Sequence, residues 1–240
     1  MTDAYWTAFF KLHQDLPREG PGTPEDVTWA ADMAGIDPNA RVCDAACGPG
    51  ADIAALLQVA PRGQISAMDK VAQFVAQAQA RHADDPRLSI SQGDMAEITG
   101  PFDFIWCAGA IYFLGVTEAL TMWRNTLAPG GTIAFSQLCW FTDTPSDVAR
   151  AGWADYADMT DEAGVLACAR AASYEVLATK RLSDVAWEAY YAPLDARIAA
   201  LDGTSDALLQ QVLGEARNEA ALWRAERESF GYLLCVVRPL

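Results

Sequence analysis

The sequence predicts an α/β protein that is doubly wound around a mostly parallel seven-stranded sheet, with an antiparallel last strand and a helical insertion before it. Two patterns predict this fold. From Arg41 to Cys139, short apolar runs alternate with helical patterns, which is typical of βαβ crossovers and a parallel sheet. After Leu182, a long helical stretch separates the last two strand-like runs, and such an added edge pair is often antiparallel in open sheets.

Each element has its own local signal. Thr23 is a suitable N-cap, Pro24 suits a first helical turn, acidic residues follow, and Gly35 tolerates a left-handed C-cap, so a helix is expected between Thr23 and Gly35. The predicted strands are Arg41–Ala45, Gln64–Met68, Leu88–Gln92, Phe102–Cys107, Thr132–Cys139, Tyr174–Leu182 and Gly231–Arg238. Helices are expected over 51–59, 71–82, 117–127, most of 147–172, and 184–230 with a break at 202–204; a turn is expected at 129–131.

We expect one domain over residues 1–240. Within it, residues 1–36 are expected to form an N-terminal lid and helix, and residues 184–230 the helical insertion. Apolar residues recur at helical spacing in that insertion, from Leu208 to Trp223, so it could pack on the sheet, cover a substrate or form a dimer.

Composition and charge limit the functions that are open. The chain has 17 Lys and Arg against 32 Asp and Glu, a formal net charge of −15, and such a field repels nucleic-acid phosphates and anionic membranes. The stretch from Phe104 to Thr117 carries no charge but is too short to span a membrane, and the first residues lack a signal-peptide pattern. We therefore expect a cytoplasmic protein, monomeric or homodimeric, that acts on a small molecule.

Cysteine and histidine usage points to reduced thiols and to no metal site. Six cysteines are scattered through apolar runs without a CxxC pair, which favours buried thiols over a disulfide framework or a zinc site. The two histidines, His13 and His82, lie far apart, so a histidine-rich metal centre is not expected.

The strongest local signal is a glycine turn between the first predicted strand and its helix. Gly48 and Gly50 let the backbone approach a ligand without a Cβ in the way, and the helix N-terminus behind them offers free N–H groups. Asp69 follows the next strand, about twenty residues on, where an acid can accept hydrogen bonds from both ribose hydroxyls. The ligand is therefore expected to carry an adenosine.

Two adenosine cofactors remain open at this point. A dinucleotide site requires G-x-G-x-x-G. Counting from Gly48, the third position falls on Ile53, whose branched side chain would block close helix–strand packing. Counting from Ala46, the frame becomes A-x-G-x-x-A and survives weakly.

Five segments, in order, resemble the motifs of the class I S-adenosylmethionine (SAM) dependent methyltransferases, whose fold is Rossmann-like. They are Val42–Gly50, Ala67–Lys70, Gln92–Met95, Phe102–Ile105 and Leu127–Thr132. The resemblance covers roughly residues 39–138 and implies a SAM cofactor. One departure is Ala46, where the family usually has glycine. Alanine is a small change, so we expect the cofactor still to bind; the alternative is a weaker or slightly shifted cofactor.

The resemblance also implies which residues contact SAM. It places Asp44, Ala46, Cys47, Gly48 and Gly50 at the glycine turn, Asp69 and Lys70 at the ribose, and Gly93, Asp94 and Met95 at the adenine. Cys107, at the end of the strand that faces the methyl group in this family, is a further candidate.

The N-terminal run Phe9–Gly22 is similar to the opening of a bacterial subgroup of small-molecule methyltransferases. It combines a Pro/Gly loop with Arg18, and an arginine can bind the cofactor carboxylate bidentately. We expect this segment to fold over the cofactor as a lid; the alternative is a packing loop with Arg18 in solvent.

Methyl transfer requires alignment and exclusion of water, and a base only when the acceptor must lose a proton. His13 in the expected lid is the candidate base, and Tyr112, after the fourth strand, is a second catalytic candidate. Tyr5, Tyr112 and Trp140 are the expected substrate-binding aromatics, although aromatic residues at such positions also commonly belong to a core.

Three functions follow from these observations. The first is a SAM-dependent methyltransferase acting on a small molecule, since residues 107–110 also lack the Asn/Asp-Pro-Pro-aromatic signature of nucleic-acid amino-methylating enzymes. The second is a non-catalytic SAM-binding domain that acts through a partner. The third is an NAD-dependent oxidoreductase, for which the chain shows no Tyr-x-x-x-Lys pair.

Overall fold

A computed structural model describes residues 2–82, 84–156 and 159–240. Seven strands form one sheet: β1 Arg41–Ala45, β2 Gln64–Asp69, β3 Leu88–Gln92, β4 Phe102–Cys107, β5 Leu127–Trp140, β6 Tyr174–Arg181 and β7 Phe230–Pro239. The α-helices are α1 Asp3–Leu12, α2 Pro24–Ala34, α3 Ile53–Val59, α4 Ala72–Arg81, α5 Val116–Trp123, α6 Asp147–Gly152, α7 Glu162–Ala171, α8 Asp184–Leu201 and α9 Ala207–Glu226.

The strand order is β3-β2-β1-β4-β5-β7-β6. Pairs among β1 to β5 are parallel, whereas β7 runs antiparallel to both β5 and β6. The predicted α/β sheet with an antiparallel last strand is confirmed. In sheets of this kind, ligands bind at the carboxyl ends of the parallel strands near the point where the order reverses, here between β1 and β4.

Both faces of the sheet are covered, because alternate residues of the central strands enter different cores. In β4, Phe104 and Trp106 pack toward α2, α3, α8 and α9, while Ile105 and Cys107 pack toward α5 and α7. All four side chains are buried. Burial on both faces explains why these strands are continuous apolar runs rather than alternating ones.

The signals around α2 act as predicted. The Thr23 N–H donates to the Asp26 carboxylate at 2.8 Å, and Gly35 ends the helix with φ +64°. The helical insertion before β7 is present as α8 and α9, which are separated at 202–206.

Three elements differ from expectation. The Pro129–Gly131 turn lies within β5, which starts at Leu127 and pairs with Phe102 before a register shift. The helix expected over 117–127 ends at Trp123, and a 3₁₀ turn continues to Thr126. In place of the expected helix over 147–172, the structure has α6 and α7, and the described residues between them, 153–156 and 159–161, are not helical; residues 157–158 lie outside the described part.

Candidate cofactor and acceptor site

A cavity of about 930 Å³ opens at the carboxyl ends of β1 to β4. Its floor follows those strands: Asp44 to Pro49 around the end of β1, Asp69 to Val71 after β2, Gly93 to Met95 after β3, and Ala108 to Ala110 after β4. The N-terminal segment forms the opposite wall with residues of α1 and of the loop over 18–21. A cavity of this size is within the range of small-molecule and cofactor sites.

Asp69 joins the glycine turn to the end of β2. Its Oδ2 accepts from the Gly48 N–H at 2.9 Å, and its Oδ1 accepts from the Val71 N–H at 2.8 Å. Burial raises the pKa of this carboxyl, while the backbone N–H donors of Val71 and Gly48 oppose that change. Each oxygen retains a second lone pair, so the carboxylate can still accept hydrogen bonds from a bound ligand.

Asp44 is the most confined acid of the floor. It is buried, and its Oδ2 has no hydrogen-bond partner among the described residues. Burial raises its pKa well above the ordinary value, and the negative charges of Asp52 and Asp69 add to the effect. A buried oxygen without a donor on the wall of a cavity is able to accept a hydrogen bond from a bound ligand or a water molecule.

Arg18 enters the cavity wall instead of pointing to solvent. Its Nη2 donates to Asp52 Oδ1 at 3.3 Å, and its Nε donates to the Gly20 carbonyl. A Cβ on Gly22 would lie 2.3 Å from Nη2, so glycine is required where the backbone passes the guanidinium. Asp52 also accepts from Trp106 Nε1 at 3.0 Å, which fixes the acid that holds Arg18.

Lys70 and Asp94 form an ion pair at the end of the cavity nearest β3. Lys70 Nζ lies 2.9 Å from Asp94 Oδ2, and Asp94 Oδ1 accepts from the Ala96 N–H. That N–H, and then Lys70, lower the pKa of Asp94. Gly93 and Met95 flank the pair, so the three residues expected at an adenine lie together.

His13 does not line the cavity, but it holds a residue that does. Its Nδ1 lies 2.6 Å from Glu19 Oε2, and its ring stacks on Phe9 with centroids 3.9 Å apart. The other oxygen of Glu19, Oε1, has no hydrogen-bond partner among the described residues. Burial raises the pKa of Glu19, and His13 opposes that change. Glu19 also lies against the glycine turn, with its Cγ 3.5 Å from where a Cβ of Gly48 would be.

Aromatic side chains line the part of the cavity nearest α1 and the end of β4. They are Tyr5, Trp6, Phe9, Phe10, Phe74, Tyr112 and Phe113. The Tyr5 hydroxyl donates to Glu215 Oε2 at 2.7 Å, and burial raises the pKa of Tyr5 to about 12. Burial likewise raises the pKa of Tyr112 to about 12, so both phenols stay protonated at neutral pH.

Most residues predicted from sequence lie together on the cavity wall. They are Tyr5, Arg18, Asp44, Ala46, Cys47, Gly48, Asp69, Lys70, Gly93, Asp94, Met95 and Tyr112. Four others lie elsewhere. Gly50 packs on α4, where an added Cβ would lie 3.0 Å from the Cβ of Ala78. Cys107 is fully buried in the core. Trp140 packs edge-on against Phe230. The fourth is His13, behind Glu19.

Sequence reasoning missed the residue that ties the N-terminal loop to the glycine turn. Arg81 at the end of α4 donates to the carbonyls of Leu16, Pro17 and Pro49, at 2.8, 2.9 and 2.9 Å. His82 adds a contact between its Nε2 and the Gly50 carbonyl at 3.0 Å. Glu19 and Asp52 were also missed. Glu19 lies within the run Phe9–Gly22 and Asp52 lies two residues after Gly50, where an acid beside a glycine turn was the available signal.

Within residues 2–82, 84–156 and 159–240, no group of three or more His, Cys, Asp or Glu side chains is arranged to hold a metal ion. Among the same residues, no helix is long and apolar enough to cross a membrane.

Comparisons with known proteins agree with this geometry. The family model described as "Methyltransferase domain" matches residues 42–131. Two proteins named trans-aconitate 2-methyltransferase are similar to part of the chain. The one from Deinococcus radiodurans is 34% identical over 99 residues, which is 40% of this chain and 37% of that protein. The one from Streptomyces avermitilis is 32% identical over 113 residues, which is 45% of this chain and 42% of that protein. The chain thus matches less than half the length of these relatives.

Solved structures match the whole chain at the level of fold. SAM-dependent methyltransferases from Geobacter sulfurreducens and Thiobacillus denitrificans, both in complex with S-adenosylhomocysteine, each give a TM-score of 0.82 at 21% identity. The alignments cover 98% and 97% of this chain and 98% of each of the other two. The chain therefore has the class I SAM-dependent methyltransferase fold, and the resemblance drawn from its motifs is confirmed.

Proposed function

We propose that this protein is a SAM-dependent methyltransferase that transfers a methyl group to a small-molecule acceptor. The observation that carries the proposal is the convergence of the glycine turn, Asp69 and the Asp94–Met95 segment on one cavity, which continues into an aromatic compartment. One end of the cavity suits an adenosine and the other an acceptor. The relatives named methyltransferases match only part of the chain, and they support the same proposal.

The residues present suit the cofactor. Asp69 keeps lone pairs for the ribose hydroxyls, and Asp94 with Met95 suits the adenine. The unpartnered oxygens of Asp44 and Glu19 suit the ammonium of the methionine moiety, and Arg18 lies beside the turn where the carboxylate would be bound. When bound, SAM supplies an electrophilic methyl group on a sulfonium.

The chain's own contribution is to position the reactants and exclude water. The α1 aromatics and the loop over 18–21 cover the floor, and Arg81 holds that loop against the glycine turn. Excluding water and fixing two reactants in contact is how a displacement of this kind is accelerated. Neither His13 nor another side chain is required as a base unless the acceptor carries a proton to be removed. His13, the base expected from the sequence, contacts Glu19 and does not itself line the cavity.

The small-molecule acceptor and a cytoplasmic location belong to the same proposal. A net charge of −15 opposes binding of nucleic acid, and the six cysteines are free thiols, five of them buried. Ile53 disfavours a dinucleotide site. It is a buried, branched residue at the position where that motif has its third glycine.

A methyl-transfer assay tests the function. The purified protein is incubated with methyl-labelled SAM and, separately, with a small-molecule extract, DNA and RNA. We expect label to move only into the small-molecule fraction, and Asp69→Asn to slow that transfer by about fivefold or more when SAM is below saturation. Label in nucleic acid would contradict the proposal, and SAM binding without transfer to any fraction would favour the non-catalytic alternative.

A further inference from the structure

The acceptor end of the cavity adjoins a group of tyrosines arranged around one carboxylate. We define the acceptor wall as Tyr5, Tyr112, Tyr190, Tyr232 and Glu219. Tyr5 and Tyr112 line the cavity, and the Tyr232 hydroxyl lies 3.8 Å from where a Cβ of the lining residue Gly109 would be. Glu219 is held from behind, where the Tyr191 hydroxyl donates to its Oε1 at 3.1 Å.

Two carboxylates at the acceptor wall are able to meet a ligand. Glu219 accepts from Tyr191 through Oε1, and the nearby Glu19 Oε1 is buried without a hydrogen-bond partner among the described residues. Glu219 is solvent-accessible, yet desolvation is the main cause of its raised pKa. A side chain that is accessible but surrounded by protein faces an enclosed cleft, and its carboxylate is available to a ligand.

The wall is negatively charged. Burial raises the pKa values of Tyr5, Tyr112, Tyr190, Tyr191 and Tyr232, and the Glu219 charge adds to the effect in each case. Of these five, Tyr191 contacts Glu219 directly. Glu19 acts on Tyr190 in the same way, and Glu215 accepts from Tyr5.

The basic side chains around this wall contact groups other than Glu219. His13 Nδ1 lies 2.6 Å from Glu19 Oε2, and Lys70 is paired with Asp94 at the adenosine end. Arg224 lies over the Tyr191 ring but pairs with Glu188 and Asp195. Arg197 donates through Nη2 to the Lys11 carbonyl, and its buried Nε has no hydrogen-bond partner among the described residues. None of these side chains forms an ion pair with Glu219.

Ring faces beside a carboxylate are the recognised means of binding an ammonium group, whereas a polycarboxylate is bound by arginine or lysine. We infer that the acceptor is a small amine whose ammonium form binds against Glu219 and the rings of the acceptor wall. One proton passes from the ammonium to the Glu219 carboxylate, and the nitrogen lone pair that this frees takes the methyl group from SAM as S-adenosylhomocysteine leaves. This inference rests on the proposed function and concerns recognition of the acceptor. It separates the chain from its two partial relatives, whose names specify a polycarboxylate acceptor.

Binding calorimetry at about pH 8, in the presence of saturating S-adenosylhomocysteine, tests the inference without relying on turnover. The probes are phenethylamine, 2-phenylethanol and 3-phenylpropionate, which share a ring and differ in charge, together with trans-aconitate. We expect phenethylamine to bind at least about tenfold more tightly than the other three. Equal or tighter binding of either anion or of the alcohol, or no binding of the amine, would overturn the inference.

Glu219→Gln provides the matched variant, and Glu228→Gln provides the control, since Glu228 is exposed just beyond α9 and loses the same charge. We expect Glu219→Gln to remove the preference for the amine and Glu228→Gln to keep it. An unchanged preference in Glu219→Gln would overturn the inference. Affinity for S-adenosylhomocysteine, measured on the same samples, reports the cofactor site separately. If the native protein does not bind S-adenosylhomocysteine, the proposed function fails. If only Glu219→Gln fails to bind it, that variant is set aside, and the native protein's preference among the probes tests the inference.

Discussion

Ala46 holds the sharpest turn of the cofactor floor in a conformation that favours glycine. Its φ is +64°, in the left-handed region, which costs a residue with a Cβ about 1 kcal/mol. We expect Ala46→Gly to keep the free energy of unfolding within about 1 kcal/mol, because relief of strain and added chain entropy oppose each other. Ala46→Val should lower it by about 1–3 kcal/mol. Urea unfolding of both variants checks this, and equal stability of Ala46→Val and the native protein would contradict it.

Asp69 supports both the floor and the expected ribose contact. We expect Asp69→Asn to weaken binding of S-adenosylhomocysteine by at least about 1 kcal/mol, since an amide removes one acceptor and leaves backbone N–H groups poorly paired. Calorimetry measures the effect. Asp103→Asn is the control, because Asp103 pairs with Arg41 on the surface at the opposite end of the sheet, and it should leave the affinity unchanged. Unaltered affinity in Asp69→Asn would remove this residue from the site.

Asp44 gives a pH dependence with a definite sign. Its pKa is raised in the folded state by burial, so the folded protein binds more protons than the unfolded chain above about pH 4, and stability falls as pH rises through the folded pKa. Asp44→Asn should therefore raise the free energy of unfolding at neutral pH by about 1 kcal/mol or more, and the gain should disappear near about pH 4. A gain that persists at low pH would show that charge is not its cause.

Among the elements, the N-terminal segment depends on α4. Arg81 makes three hydrogen bonds to carbonyls of the two loops that meet there. Arg81→Lys keeps the charge but cannot span these acceptors, so we expect a loss of about 1–3 kcal/mol in stability and faster amide exchange over residues 13–22. Arg62→Lys, which alters a surface contact to Asn39, is the control. Exchange over 13–22 that matches the native protein would contradict a clamp at Arg81.

Sequence patterns predicted the limits of helices and strands correctly where the signal lies within a few residues. The caps of α2 and the limits of β1, β3 and β4 agree with prediction because hydroxyl, proline, glycine and apolar runs act within a few residues. The Pro129–Gly131 segment entered β5 because pairing with β4 outweighs its turn propensity. The Arg81 clamp and the Glu219 cluster could not be predicted, since each joins residues distant in sequence.

Several of the acidic residues that give the whole molecule its net negative charge lie around the cavity. Asp44, Asp52, Asp69 and Glu19 lie on its wall, with Arg18 among them. The motifs located the cofactor floor, because it is built from residues that follow strands in order. At the acceptor end, the sequence analysis proposed Tyr5 and Tyr112, which line the cavity. The residues of α8 and α9 beside them could not be predicted, because no motif encodes the packing of these helices.

The most direct test of the account is a thermal shift measured in parallel with SAM, S-adenosylhomocysteine and NAD. Ligand at about one hundred times its dissociation constant adds about 2.7 kcal/mol, which corresponds to about 5–10 °C for a chain of this size. The account predicts shifts with SAM and S-adenosylhomocysteine and none with NAD. A shift with NAD alone, or no shift with any of the three, would contradict it.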